Sequence, residues 1–198
     1  MEKDTGFSQA ESLALIESMI NKAANRFNED GFLYLLWGWV VLACSLAEFI
    51  LLRLQYEKHY LVWTLTWVVV IYQISFLRKK RRAQRVRTYT DDIIKYVWLT
   101  FVILMFLSGV LFGSSESKDY YKMIDPLFLA LYGMPTFLSG IILRFKPLVW
   151  GGISCWLLSV LCVVIPDEFK ILLVSAAMVV AWIIPGYLLR AKFKQSNG

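Results

Sequence analysis

The chain has 198 residues, of which 58% are hydrophobic and 18% are charged, and its formal net charge is +6. A water-soluble domain of this length needs far fewer apolar residues to fill its core, so this composition excludes an ordinary soluble protein. The apolar residues also lie in runs of about 20, the length that a helix needs to cross the hydrocarbon layer of a bilayer. The sequence therefore predicts an all-α, polytopic membrane helical bundle.

Residues 1–30 predict a cytoplasmic amphipathic helix that precedes the bundle. Ser8 and Glu11 have the spacing of a capping box, which marks the start of a helix. Apolar side chains then recur every three or four residues and form one stripe, which charged residues avoid. The stripe includes Leu13, Ile16, Ile20 and Phe27. It predicts packing against the cytoplasmic end of the bundle or docking of a partner protein, whereas the nearly balanced polar face disfavours direct lipid anchoring.

Six apolar runs follow, and each is predicted to be a transmembrane helix. They cover residues 31–52, 60–77, 93–113, 124–143, 147–165 and 171–189. Short polar joints connect them, so neighbouring spans should run antiparallel, and each span must be helical because hydrocarbon offers no water to an open backbone. Residues 31–189 thus form one transmembrane domain, followed by a cytoplasmic tail at residues 190–198.

Lysine and arginine are distributed unevenly between the two ends of the predicted spans. Of the 21 basic residues, 16 fall on the side that holds both termini, and the positive-inside rule places this side in the cytoplasm. Seven of them follow the second span and form a basic segment: Arg78, Lys79, Lys80, Arg81, Arg82, Arg85 and Arg87. Such a segment is typical of a topogenic signal, and binding to anionic lipid is the alternative. Nucleic acid is not an expected partner, because no aromatic stacking platform is interleaved with the charges.

Ionisable residues inside membrane spans are candidates for a ligand or ion site. Glu48 falls near the outer end of the first span, where it can reach water by snorkelling, and Asp125 opens the fourth span on the same side. Gly133 and Pro135 follow Asp125 at about the depth of the bilayer midplane and predict a kink or break in the fourth span. An interrupted helix is one pointer to a transporter binding site.

Small side chains within the apolar runs predict tight helix packing. In the fifth span, Gly151, Cys155 and Ser159 lie four residues apart on one face, which lets another helix approach closely. Cys44 and Cys162 also fall in apolar runs, where a thiol behaves as a small packing group more often than as half of a disulfide.

The sequence predicts neither a metal site, nor a cofactor, nor an enzymatic activity. His59 is the one histidine of the chain, so a multi-histidine metal site and a histidine-assisted serine nucleophile inside the membrane cannot be built. Glu48, Glu57, His59 and Asp125 could meet on the outer face and bind a cation, but scattered rim charges are the simpler expectation.

Three segments carry a resemblance to known proteins: YLLWGW near the start, LYGMPTFLSG in the middle and AWIIPGYLLR near the end. Together they resemble a group of small bacterial six-span membrane proteins to which no activity is assigned, and the resemblance covers most of the chain. It implies the bacterial cytoplasmic membrane as location and the same six-helix plan, but it supplies no functional residues.

Two functional hypotheses follow from the sequence. The first is a non-enzymatic regulatory or interaction protein that acts through a partner protein or its own oligomer, with the amphipathic helix and the basic segment as its cytoplasmic face. The second is a small transporter or channel that uses the break at Gly133 and Pro135, with Glu48 or Asp125 guiding a cation. Intramembrane catalysis ranks third, because no acid–base pair is evident.

Overall fold

The computed structural model describes residues 31–83, 89–113 and 121–197, together with Leu13. This part of the chain is 93% helical, without strands, and contains six helices that are long and apolar enough to cross a membrane. The all-α, six-helix architecture predicted from the sequence is therefore confirmed.

Two predicted features lie partly outside the described residues. Of the apolar stripe near the N-terminus, only Leu13 is described, and Ile16, Ile20 and Phe27 are not. Of the basic segment, Arg85 and Arg87 are not described. Both features remain predictions from the sequence.

The helices follow one another with short connections. Helix α1 spans Phe32–Arg53, and a 3-10 turn at His59–Trp63 leads into α2 at Thr64–Ala83. Helix α3 spans Tyr89–Gly113, α4 spans Tyr121–Ile142 and α5 spans Lys146–Val164. The last span is continuous and consists of α6 at Asp167–Met178, a π-helical turn at Val179–Ile183, and α7 at Ile184–Asn197. It runs on through most of the predicted tail, because residues 190–197 contain neither glycine nor proline.

Contacts between side chains assign the helix ends to two sides of the bundle. On one side, the rings of Phe32 and Phe76 lie 4.8 Å apart, and the Lys192 ammonium lies 5.6 Å from the centre of the Phe145 ring. This side, here called the basic end, also carries Arg78, Lys79, Lys80, Arg144 and Lys146.

The opposite side is defined by contacts of the C-terminal half of α1. The hydroxyls of Ser45 and Ser175 lie 2.7 Å apart, and Arg53 forms an exposed ion pair with Glu168 at 3.4 Å. We call this side the outer end. Consecutive helices therefore run in alternating directions, as their short joints require.

The sixth span is the centre of the bundle, and α1, α4 and α5 pack around it. Met178 and Leu129 are fully buried in the resulting core, and Trp182 is 2% exposed. The helices α2 and α3 lie at the periphery, where α3 contributes Phe101 to the core. Between Thr64 and Lys80, α2 buries Val69 alone.

Glycines allow the backbones of the core helices to approach each other closely. A Cβ atom on Gly151 would lie 2.8 Å from the Cα atom of Ala181, and one on Gly152 would lie 2.7 Å from the backbone nitrogen of Phe137. Both distances are shorter than van der Waals contact, so only glycine fits at these crossings. The close approach predicted for the fifth span is confirmed at Gly151.

Candidate functional site

Polar side chains from three helices and one connection meet at the outer end of the bundle. We call this group the outer polar cluster. Glu48 comes from α1, His59 and Trp63 from the 3-10 turn, Asp125 from α4 and Lys170 from α6. Asp125 and Lys170 follow Glu48 by 77 and 122 positions in the sequence. The cluster is thus a product of the fold and not of a local motif.

The Glu48 carboxylate is held by two hydrogen bonds. His59 donates from Nδ1 to Oε1 at 2.9 Å, and Trp63 donates from Nε1 to Oε2 at 2.6 Å. Both oxygens therefore have a partner, and the Glu48 side chain is only 13% exposed. The expectation that Glu48 reaches water by snorkelling is corrected, because the two ring donors satisfy it inside the protein.

The local chain path explains why the two donors face Glu48. Helix α1 ends at Arg53, and Gln55 adopts a left-handed conformation with φ of 53°. This tight reversal returns the chain along the last turns of α1, so that the 3-10 turn lies beside them. The same return places the thiol of Cys44 3.6 Å from the carbonyl oxygen of Val62.

Lys170 supports the cluster from the sixth span. It is 6% exposed, and its ammonium lies 2.6 Å from the Asp167 carboxylate. It also donates a hydrogen bond of 2.9 Å to the carbonyl oxygen of Lys122. This is the carbonyl that Pro126, four residues later and without an N–H, leaves without a helical donor. A buried ammonium is tolerated only when it is paired in this way.

Asp125 lies half-buried beside these groups. It is within electrostatic range of Glu48, Lys170 and Asp167. The structure therefore brings the predicted residues Glu48, His59 and Asp125 to one region, whereas Glu57 is exposed to solvent. The expectation of scattered rim charges is corrected, since two of these side chains are hydrogen-bonded to each other.

The other two predicted site residues, Gly133 and Pro135, lie deeper along α4. Helix α4 is continuous from Tyr121 to Ile142, so of the kink or break predicted at this point, the break is wrong. Trp156 of α5 packs against Gly133 and donates a hydrogen bond of 3.1 Å to the carbonyl oxygen of Ala130. A neighbouring helix thus packs tightly against α4 one turn before Pro135.

A polar contact in the bundle interior lies next to this stretch. Trp182 donates from Nε1 to the Thr136 hydroxyl at 2.8 Å, and that hydroxyl donates to the carbonyl oxygen of Tyr132 at 2.8 Å. The rings of Trp98 and Tyr132 pack edge-on against Trp182, with centroids at 5.7 and 5.3 Å. The sequence alone does not identify these partners of Trp182.

The π-helical turn that carries Trp182 has a local cause. Pro185 has no N–H and leaves the carbonyl of Ala181 without its helical donor, while the N–H of Ile184 bonds the carbonyl of Val179, five residues back. The sequence predicts a kink or break at Pro185 on the same grounds as at Pro135, and the structure has a π-helical turn directly before this proline.

Comparison with known proteins adds no identity to this geometry. No family model matches the chain, and no curated protein or solved structure is significantly similar to it. Within the residues that the structure describes, no three histidine, cysteine or acidic side chains are grouped so as to hold a metal ion. Of the hydrogen-bonded pair in the outer polar cluster, the His59 side chain is 31% exposed and the Glu48 side chain is 13% exposed.

Proposed function

We propose that the protein is a multi-pass protein of the bacterial cytoplasmic membrane, with both termini and the basic segment in the cytoplasm. The peripheral helices support burial in lipid, since Trp67 and Ile71 of α2 and Phe106 of α3 are each more than 65% exposed. The contacts that gather Arg78 and Lys192 at one end support the orientation, because basic residues concentrate on the cytoplasmic side.

Within this membrane protein, the function supported best is a non-enzymatic regulatory or interaction role, exerted through a partner protein or a second copy of the chain. The observation that carries the proposal is the filled centre of the bundle. Leu129, Met178 and Trp182 occupy it and are 2% exposed or less. Recognition is therefore assigned to the outward surfaces, above all to the cytoplasmic face with the N-terminal stripe and the basic segment.

The transporter hypothesis loses the feature on which it depended. It required an interrupted fourth helix at Gly133 and Pro135, but α4 is continuous and Trp156 packs against Gly133. Glu48 and Asp125, the two acidic residues assigned to cation guidance, lie at the outer end of the bundle. Asp125 is about 12 Å from Gly133 along the axis of α4.

Partner binding through the N-terminal stripe can be tested by co-purification after crosslinking in cells. The double variant Ile16→Glu, Ile20→Glu puts charge on the stripe, and Glu17→Gln, Lys22→Gln changes only the polar face as a matched control. We expect the recovered partner or second copy to decrease at least about tenfold for the stripe variant, because each buried anchor contributes more than about 1 kcal/mol. The control should recover the same amount as the unaltered protein. Equal recovery for both variants would exclude the stripe as the docking surface.

A further inference from the structure

We propose that a groove between α3 and α4 near the basic end holds one acyl chain of an anionic phospholipid, whose headgroup is bound by Lys95. We call this groove the lipid groove. It is lined by Ile93, Tyr96, Val97 and Thr100 of α3 and by Met134 and Leu138 of α4. The inference rests on the proposed location of the protein in a bilayer, but it does not depend on which partner the cytoplasmic face binds.

The wall of the lipid groove is apolar. Val97 and Thr100 lie one turn apart on the same face of α3, and their short side chains leave space between α3 and α4. Thr100 contributes a hydroxyl, but this group donates a hydrogen bond of 2.9 Å to the carbonyl oxygen of Tyr96. An apolar occupant is therefore favoured over water, because an ordered water molecule needs two or more polar partners.

The dimensions of the lipid groove favour a single hydrocarbon chain. Its volume is about 300 Å³, and the rise from Ile93 to Thr100 is about 10 Å along the axis of α3. Spread over this length, the volume corresponds to a channel about 6 Å wide. A helix with its side chains is about 10 Å in diameter and cannot enter. An extended acyl chain fits, because carbon atoms in contact lie about 4 Å apart.

The position of the lipid groove places the headgroup of its occupant at the basic end. Helix α3 begins at this end, where α2 has ended, and α4 ends there at Ile142. Ile93 lies within the first two turns of α3, and Leu138 lies within the last two turns of α4. Tyr96 is 60% exposed, as is typical of a tyrosine at the headgroup level. A chain in the groove therefore belongs to a lipid of the leaflet at the basic end.

Lys95 supplies the charge that selects the headgroup. It is exposed, and its ammonium lies 5.1 Å from the centre of the Tyr96 ring, at the edge of the lipid groove. Among the described residues, no carboxylate forms an ion pair with Lys95, and this includes Asp92 one turn earlier. Arg144 and Lys146 are also exposed at this end and add positive charge. Basic pockets between membrane helices on the cytoplasmic side bind anionic headgroups, so the charge complements an anionic phospholipid.

The test maps where a photoactivatable lipid attaches to the full-length protein in nanodiscs of phosphatidylcholine. Two probes carry the same diazirine in one acyl chain and differ only in the headgroup, which is phosphatidylglycerol or phosphatidylcholine. Adducts on residues 93–100 and 134–138 are counted and divided by those on residues 67–74, a mostly exposed stretch of α2. We expect this ratio to be about fivefold higher for the phosphatidylglycerol probe, which is the gain from one lysine near an anionic headgroup.

Two pairs of variants test the headgroup contact and the chain contact separately. Lys95→Gln should lower the ratio for the phosphatidylglycerol probe to that for the phosphatidylcholine probe, whereas Lys58→Gln, at an exposed lysine of the outer end, should leave the excess unchanged. Val97→Trp should place an indole in the lipid groove and remove most of its adducts with both probes. Val102→Trp makes the same change on the opposite face of α3, at a side chain that is 58% exposed, and should leave the adducts in place.

Equal ratios for the two probes in the unaltered protein, or an excess that persists in Lys95→Gln, would overturn the proposal. Equal numbers of groove adducts in Val97→Trp and Val102→Trp would overturn it as well. Because Lys95 is exposed, its replacement tests the headgroup contact without altering the core. The nanodiscs contain no partner protein and impose no orientation, so a negative result here is distinct from a failure of partner docking through the N-terminal stripe.

Discussion

Replacement of Trp182 by alanine should lower the free energy of unfolding by about 3 to 5 kcal/mol, the range for deleting an aromatic side chain from a packed core. Trp182 is 2% exposed and lies between the rings of Trp98 and Tyr132. Its removal leaves a cavity at the centre of the bundle and takes the indole donor away from Thr136. Reversible unfolding in mixed detergent micelles measures this free energy.

Two control variants distinguish this effect from a general sensitivity to tryptophan loss. Trp182→Phe keeps most of the ring volume and removes the hydrogen bond to Thr136, so about 1 to 2 kcal/mol should be lost. Trp67 of α2 is 70% exposed, and Trp67→Ala should change the free energy by less than about 0.5 kcal/mol. Equal losses for Trp182→Ala and Trp67→Ala would contradict the assignment of the sixth span as the centre of the core.

Substitution of Gly152 by alanine should destabilise the protein by about 2 to 3 kcal/mol, at the upper end of the usual cost of overpacking. The added Cβ atom would lie 2.6 Å from the Cβ atom and 2.8 Å from the Cα atom of Phe137. These are backbone and near-backbone atoms that cannot rotate away, so α4 and α5 would have to separate along their whole contact.

The chain contains a matched control for this substitution. Gly109 in α3 has no atom within 4 Å of the position that a Cβ would take. Gly109→Ala should therefore be neutral or stabilising by up to about 1 kcal/mol, because alanine has the higher helix propensity. The same unfolding measurement applies to both variants. A loss at Gly109 as large as that at Gly152 would show that the close approach of α4 and α5 is not the cause.

The sequence predicted the helical architecture because the governing quantities are local. The length and hydropathy of each apolar run are sufficient to indicate a spanning helix, and the part of the chain that the structure describes contains six such helices. The spacing of Gly151 also predicted a close helix crossing, because residues four apart lie on one face. The spacing does not indicate which helix crosses at Gly151. In the structure it is the sixth span, at Ala181.

The polar contacts were harder to predict, because they depend on how helices are rotated against one another. The depth of Glu48 could be estimated from helical rise, but its two donors come from a turn that folds back through a left-handed residue at Gln55. The freed carbonyl of Lys122 follows from Pro126, yet its donor, Lys170, comes from a helix 48 residues away. A break at Pro135 was also expected, but α4 continues through this residue, and Trp156 of the neighbouring helix packs against Gly133.

The most direct test of the membrane topology proposed here is labelling of single cysteines with a maleimide that cannot cross membranes. Cys44, Cys155 and Cys162 are replaced by alanine, and a cysteine is then introduced at Lys58 near the outer end or at Gln195 near the basic end, both of which are exposed. The account predicts that Lys58→Cys is labelled in intact spheroplasts and that Gln195→Cys is labelled only after lysis. Labelling of Gln195→Cys in intact spheroplasts, with Lys58→Cys protected, would contradict the proposed orientation.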